Sequence, residues 1–455
     1  MNYNFEVFKK YSKDLLELSL PIVMGSIGFA LIFLGDVFVG ARYSTDVLAA
    51  VSISGAITSI IFIFGIALLS SVSAYLSNQL GAKKSAKNYL IPSIKFSMLL
   101  AFLSFLAILA VIPLYPKLGF EEKLIPMMNN YTWIFAFSTF GDYLFKAMKE
   151  FLQSYKIVFI PNLIVIIAIF FNVSFNWIFT FGVGPFPEMG ESGLALATTL
   201  TRTLMGLAIL GFYLFQFKVK IVDKEYTDYY KNLLVIGLPI SFAVCIEFLA
   251  FNIITILVGR MAGVYAAAQS ILISIINTTF MIPMSISMAT TIKVGYVNGA
   301  RNVEDIKRYS LTSCIITEIF MLHCGIIIAI FPSQIVSMFT PDANLVKIMI
   351  PVMILLAIFE ITDGLQVTLG GIFKGMKNTN IVMITNIIGY LIIGMPFGIY
   401  LALNKNLNLV GFWSGLVLAS LILCTILSIN LGKALKNYDF VSDVECPQGD
   451  WNLIR

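Results

Sequence analysis

Long apolar runs separated by short polar stretches dominate the chain. They fall at residues 15–41, 49–77, 90–114, 124–147, 157–181, 191–216, 232–259, 264–292, 309–332, 347–373, 379–403 and 408–432, twelve in all. About 20 residues of helix cross the hydrocarbon core of a bilayer, and every run reaches that length. The ten-residue alternation of barrel strands is absent. The pattern therefore predicts an all-α polytopic membrane protein with twelve transmembrane helices. The run at 15–41 is too long for the apolar stretch of a secretory signal and has no small-residue cleavage site after it, so it reads as a first span.

Composition sharpens this picture. The 455 residues are 58% hydrophobic and 12% charged, with a mean hydropathy of +0.90. A soluble protein carries about 25% charged residues, so most of the surface here must face lipid. The net charge of +5 does not point to nucleic acid, because the basic residues sit in short loops between apolar runs. With the N-terminus placed in the cytoplasm, 21 of the 30 Lys and Arg fall in cytoplasmic segments, Lys149 and Lys293 among them, and six fall outside. Lys95, Lys146 and Arg202 lie within runs. This bias predicts cytoplasmic termini in a bacterial-type plasma (inner) membrane.

The two halves repeat. Leu20-Pro21-Ile22 recurs as Leu238-Pro239-Ile240, Ala49-Ala50 as Ala267-Ala268 and Gly81-Ala82 as Gly299-Ala300, each 218 residues on. Later in each half the offset becomes 221, Lys156 matching Lys377. Six spans per half start both halves on the same side of the membrane. The expected layout is an N-terminal lobe (1–217), a cytoplasmic linker (218–231), a C-terminal lobe (232–433) and a cytoplasmic tail (434–455), the pseudo-symmetric lobes enclosing a central cavity.

A carboxylate in lipid costs several kcal/mol unless it is paired, solvated or protonated. Glu247 and Asp363 have no opposite charge within a helical turn. Either they face a wet cavity and hold a cation or proton, or they stay protonated in structural hydrogen bonds. Asp36, near the outer end of the first span, is a cation or substrate ligand or an interfacial carboxylate. Asn172 and Asn176 share a helix face and with Thr198 would complete an oxygen-rich site around Asp36, or serve as polar glue between helices. Glu360 shares a face with Asp363, either as a proton carrier or as a hydrogen-bonding partner of another helix. Glu318 is a weaker candidate, and the lone His323 reads as core. Lys95 and Glu17 read as snorkelling side chains. Arg202 needs a partner that the sequence does not name. Pro21 and Pro239 are hinges or mark the first turn of their spans. Asp142, at the repeat position of Asp363, has Lys146 four residues on, which predicts a structural ion pair within that helix. No nucleotide-binding motif, paired cysteines or transition-metal cluster is evident.

Several stretches resemble the multidrug and toxic compound extrusion (MATE) family, in particular its NorM-like branch. They are "LLELSLPIVMGSIGFALIFLGDVFVGARYSTDVLAAVSI", "NVSFNWIFTFG", "GLPISFAVCIEFLAFNIITILVG", "IPMSISMATTIKVGYVNGA" and "DGLQVTLGGIFKGMKNT", and the likeness extends over nearly the whole chain. The resemblance implies a secondary active exporter of cationic or amphipathic drugs, acting by antiport with Na+ or H+. Glu247 and Asp363 match the second-lobe acidic pair of the branch, and Asp36 matches an acid widespread in the family. Asn176 stands where another bacterial branch tends to carry aspartate. Phe359 stands where NorM-like proteins often have tyrosine, which leaves a ring face for a cation but no phenol oxygen. The acids favour Na+ as coupling ion. No cofactor is implied, and the partners expected are organic cations, the coupling ion and membrane lipids, with the chain acting as a monomer and binding no nucleic acid. A lipid or polysaccharide-precursor flippase of the same superfamily, or the membrane subunit of an ATP-driven exporter, is the rival reading. An intramembrane enzyme fits least.

Overall fold

The structure is a computed structural model, and it describes residues 4–216, 226–261 and 263–436. The described residues are almost wholly helical. The helices are α1 (Phe5–Tyr43), α2 (Thr45–Leu69), α3 (Ser71–Gly81), α4 (Leu90–Leu109), α5 (Ile125–Ala136), α6 (Ser138–Ser154), α7 (Phe159–Phe181), α8 (Glu191–Gln216), α9 (Thr227–Gly259), α10 (Gly263–Thr279), α11 (Met281–Gly299), α12 (Val303–Ile330), α13 (Pro332–Ser337), α14 (Ala343–Gly375), α15 (Asn380–Asn386), α16 (Met395–Ile399) and α17 (Asn408–Lys436). Among the described residues, eleven helical stretches are long and apolar enough to cross a membrane. The run expected at 124–147 is instead the consecutive pair α5 and α6. The chain is an all-α polytopic membrane protein. Most of the expected linker (residues 218–225) and most of the expected tail (437–455) lie outside the described residues.

The internal repeat is visible in the backbone. Lys83 and Arg301 both take a left-handed φ, of 57° and 58°, as do Lys156 and Lys377, of 62° and 60°. These pairs carry the two offsets read from the sequence. The turns that end α3 and α11 close with the same bonds, Lys84 N to Gln79 O at 2.9 Å and Asn302 N to Val297 O at 3.0 Å.

The chain divides into two compact units, and the division falls inside helices. Among the described residues, one unit is Leu20–Ser241; the other joins those up to Ser19 to those from Phe242 to Lys436. We call them the first-half and second-half units. α1 and α9 thus each begin in one unit and end in the other, and Pro21 and Pro239 lie within three residues of the crossing points. Both prolines lie deep inside continuous helices, well past the first turn of α1 and of α9. Each removes one backbone hydrogen bond near the crossing.

The foot of α1 is held in the second-half unit by charge. Asp14 accepts from Lys293 Nζ at 3.0 Å and from the Tyr309 hydroxyl at 2.7 Å. Tyr11 donates to Asp305 and accepts from Arg308 at 3.3 Å. The foot of α9 is held in the first-half unit by uncharged groups, with Tyr229 bonded to Ser93 at 2.6 Å and packed on the rings of Tyr75 and Tyr89. The Lys293 side chain is 7% exposed and that of Asp14 38%. Removing the carboxylate therefore strands a buried ammonium, whereas removing the ammonium leaves a carboxylate that water reaches. Asp14→Asn is expected to cost about 1–3 kcal/mol and to lower the melting temperature in detergent more than Lys293→Met does. Equal melting temperatures for the two variants would refute this reading of the foot.

Candidate cation-binding sites

In the first-half unit, α1 and α7 approach closely because α1 is bare where they meet. A Cβ on Gly25 would fall 1.9 Å from Asn162 Oδ1, and one on Gly35 would fall 3.2 Å from Asn172 Oδ1. Small residues permit such helix contacts in membranes. This approach carries Asn172 and Asn176, one turn apart on α7, to the Asp36 carboxylate. Asp36 Oδ1 accepts from Asn176 Nδ2 at 2.7 Å and from Asn172 Nδ2 at 3.2 Å. Its Oδ2 accepts from the Thr198 hydroxyl of α8 at 3.1 Å. The sequence groups these four side chains, and the structure joins the other three to Asp36. Both asparagines are fully buried, and Asn176 Oδ1 has no hydrogen-bond donor among the described atoms. A primary amide offers a carbonyl oxygen as well as an NH2 group. Turning each amide over would change a donor set that stabilises a bare carboxylate into an oxygen set suited to a hard cation.

In the second-half unit, Glu360 and Asp363 of α14 are 1% and 3% exposed. Both their charges and that of Glu247 on α9 act on one another at Asp363. Glu360 accepts from the Thr279 hydroxyl at 2.7 Å. Glu247 accepts from Gln366 Nε2 at 3.4 Å, and Gln366 Oε1 accepts from the Tyr390 hydroxyl at 3.3 Å. Asp363 Oδ1 is buried with no donor. Among the described residues, no basic nitrogen lies within 4.0 Å of Glu247, Glu360 or Asp363. The Phe359 ring, 1% exposed, packs in T-shaped contacts with Phe251 and Trp413 in the apolar core.

The sequence reading missed Gln366 and Tyr390. Gln366 lies three residues after Asp363 and shares its face, a signal that was available. Tyr390 had none, because it lies in the π-helical stretch Ile387–Gly394. Such widened turns are frequent at functional sites and leave no clear mark in the hydrophobic pattern.

The MatE family model matches residues 21–178 and 239–400. The chain belongs to the MatE family. The two matched stretches begin at Pro21 and Pro239, equivalent positions of the repeat. Among curated relatives, this MatE chain is 28% identical over 423 residues to the probable multidrug resistance protein NorM of Mesorhizobium japonicum, covering 88% of this chain and 89% of that protein. It is 27% identical over 449 residues to the probable multidrug resistance protein NorM of Photorhabdus laumondii, covering 92% and 95%. Its fold is similar to that of a MOP superfamily transporter from Pyrococcus furiosus, with a TM-score of 0.85 at 20% identity over 95% of this chain and 97% of the other. It is also similar to the eukaryotic MATE transporter AtDTX14, with a TM-score of 0.83 at 19% identity over 95% and 99%.

Three charged or polar positions of this MatE chain differ from expectation. Lys146 pairs with Glu150 at 2.7 Å and makes no ion pair with Asp142, so the predicted Asp142–Lys146 bridge is replaced. Glu150 wins because Ser73 of α3 also bonds its carboxylate, fixing it beside the lysine. Lys149, counted as a loop residue, is buried in α6, where its ammonium donates to Asn162 Oδ1 at 2.8 Å and lies 5.5 Å from the Phe29 ring. His323 is exposed on α12 and bonded to the Ile319 carbonyl, not in the core.

Proposed function

We propose that this MatE protein is a secondary active exporter of cationic or amphipathic organic compounds, driven by an inward flux of Na+ or H+. The observation that carries the reading is the trio Glu247, Glu360 and Asp363. Three acids sit together in apolar helices with no basic group within ion-pair distance among the described residues, and their charge calls for an exchangeable cation or protons. A cationic drug and the coupling ion then compete for the same negative charge, and that competition is the basis of antiport. The names of the curated relatives support a multidrug substrate range. The side-chain oxygens of Glu247, Gln366 and Tyr390 favour Na+, a small hard cation, over a bare proton. The loop charge bias supports cytoplasmic termini in a bacterial-type plasma membrane.

The test is drug export by purified protein in liposomes, first under a sodium gradient alone and then under a proton gradient alone. Export under the sodium gradient without ATP is the expected result. Export that needs ATP, or that neither gradient drives, would overturn the reading. Export independent of sodium but strongly dependent on external pH would transfer the coupling role to protons.

A further inference from the structure

We propose that Arg202 is a resident counter-charge for Asp36, holding the first-half site to weak cation binding and leaving the exchangeable ion to the second half. The inference rests on the reading of Asp36 as a candidate cation ligand and concerns how that site is tuned.

Arg202 lies on α8 four residues after Thr198, the hydroxyl donor to Asp36. Positions i and i+4 share a helix face, so the guanidinium is on the side of α8 that serves the site. It is built into place by three other helices. Its Cζ lies 4.7 Å from the Phe62 ring centroid on α2 and 5.1 Å from that of Phe135 on α5. Its Nη1 donates to the Ser138 hydroxyl at the start of α6 at 3.2 Å. Two aromatic faces and a hydroxyl satisfy a guanidinium without neutralising it, and among the described residues no carboxylate lies within 4.0 Å of it.

Arginine cannot shed its proton at accessible pH, so this positive charge is permanent. One turn from Thr198, it adds a positive field at Asp36 that is weaker than the effects of burial and of the hydrogen bonds from Asn176, Asn172 and Thr198. A cation arriving at Asp36 therefore meets a carboxylate whose field is already partly cancelled, and meets repulsion from the guanidinium. Among the described residues, no Lys or Arg acts in this way on Glu247, Glu360 or Asp363. Two halves built on one repeat thus differ in the charge that decides ion exchange.

The test measures radioactive sodium binding to the purified full-length protein, in a Glu247→Gln/Glu360→Gln/Asp363→Asn background so that the first-half site alone reports. With Arg202 present, sodium binding should be weak, and adding Asp36→Asn should change it little. The neutral variants Arg202→Gln and Arg202→Met should bind sodium about tenfold more tightly, and Asp36→Asn should abolish that gain. Arg202→Lys keeps the charge and should restore weak binding. Unchanged or weaker affinity in a neutral variant that melts like its parent would overturn the proposal. So would strong, Asp36-dependent sodium binding with Arg202 intact, a measurement that needs no change at position 202. Export enters none of these arms, so failure of the exporter reading in liposomes remains a separate result.

Discussion

Replacing Asp363 by asparagine is expected to leave a protein that inserts and folds normally while its coupled export falls by at least about tenfold, equivalent to about 1.4 kcal/mol of lost driving interaction. The shape of the side chain is kept and its charge removed. Asp363 is 3% exposed, one of its oxygens has no donor, and Glu247 and Glu360 add negative potential at it. A carboxylate so placed gives little to packing, and its ionised form needs a cation. Glu247→Gln should behave similarly, although Gln366 gives that residue a hydrogen-bond partner. Glu360→Gln should be milder, because Thr279 can bond to an amide as well as to a carboxylate. Flux into liposomes, normalised to inserted protein, measures all three. Full flux from both Asp363→Asn and Glu247→Gln would remove the second-half site from the mechanism.

The second large effect is on stability. The Lys146 and Glu150 side chains are 13% and 3% exposed and pair at 2.7 Å. Breaking a buried pair leaves an uncompensated charge and costs about 3–5 kcal/mol, whereas replacing both members is often tolerated. Lys146→Gln should therefore reduce yield and melting temperature sharply, and Lys146→Gln with Glu150→Gln should recover most of the loss. Combining Lys146→Gln with Asp142→Asn should not recover it. Recovery by the Asp142 change, as measured by thermal melting in detergent, would return the lysine to the partner first read from the sequence.

That pair shows where sequence reading stops. Asp142 and Glu150 each lie four residues from Lys146, and an acid preceding its lysine is the better helical arrangement in isolation. Local preference thus favours Asp142. The structure favours Glu150 because Ser73 belongs to another helix, and no spacing within α6 reports what that helix presents. Arg202 is a similar case. Its depth in an apolar run called for a partner, yet the partners are Phe62, Phe135 and Ser138 on three other helices. By contrast, Asn172, Asn176, Thr198 and Asp36 were legible as one group, because their polarity in apolar runs has few other uses.

The sequence by itself determined the helical class, all the spans but the one that the structure breaks into α5 and α6, the two-fold repeat and the acids that carry the proposed coupling. Each of these follows from transfer free energy along the chain: twenty apolar residues must cross lipid as helix, and a charge left among them needs a reason. Tertiary structure alone decided that α1 and α9 each pass from one compact unit to the other beside Pro21 and Pro239. It also decided that Lys149 and Phe359 are buried, and that Lys146, Lys149 and Arg202 are met by Glu150, an amide and rings while Glu247, Glu360 and Asp363 meet no base within 4.0 Å among the described residues. Those outcomes depend on which faces of distant helices come together. Side chains from different helices settle them, such as Gly25 of α1 meeting Asn162 of α7, and hydrophobic periodicity carries no record of that meeting.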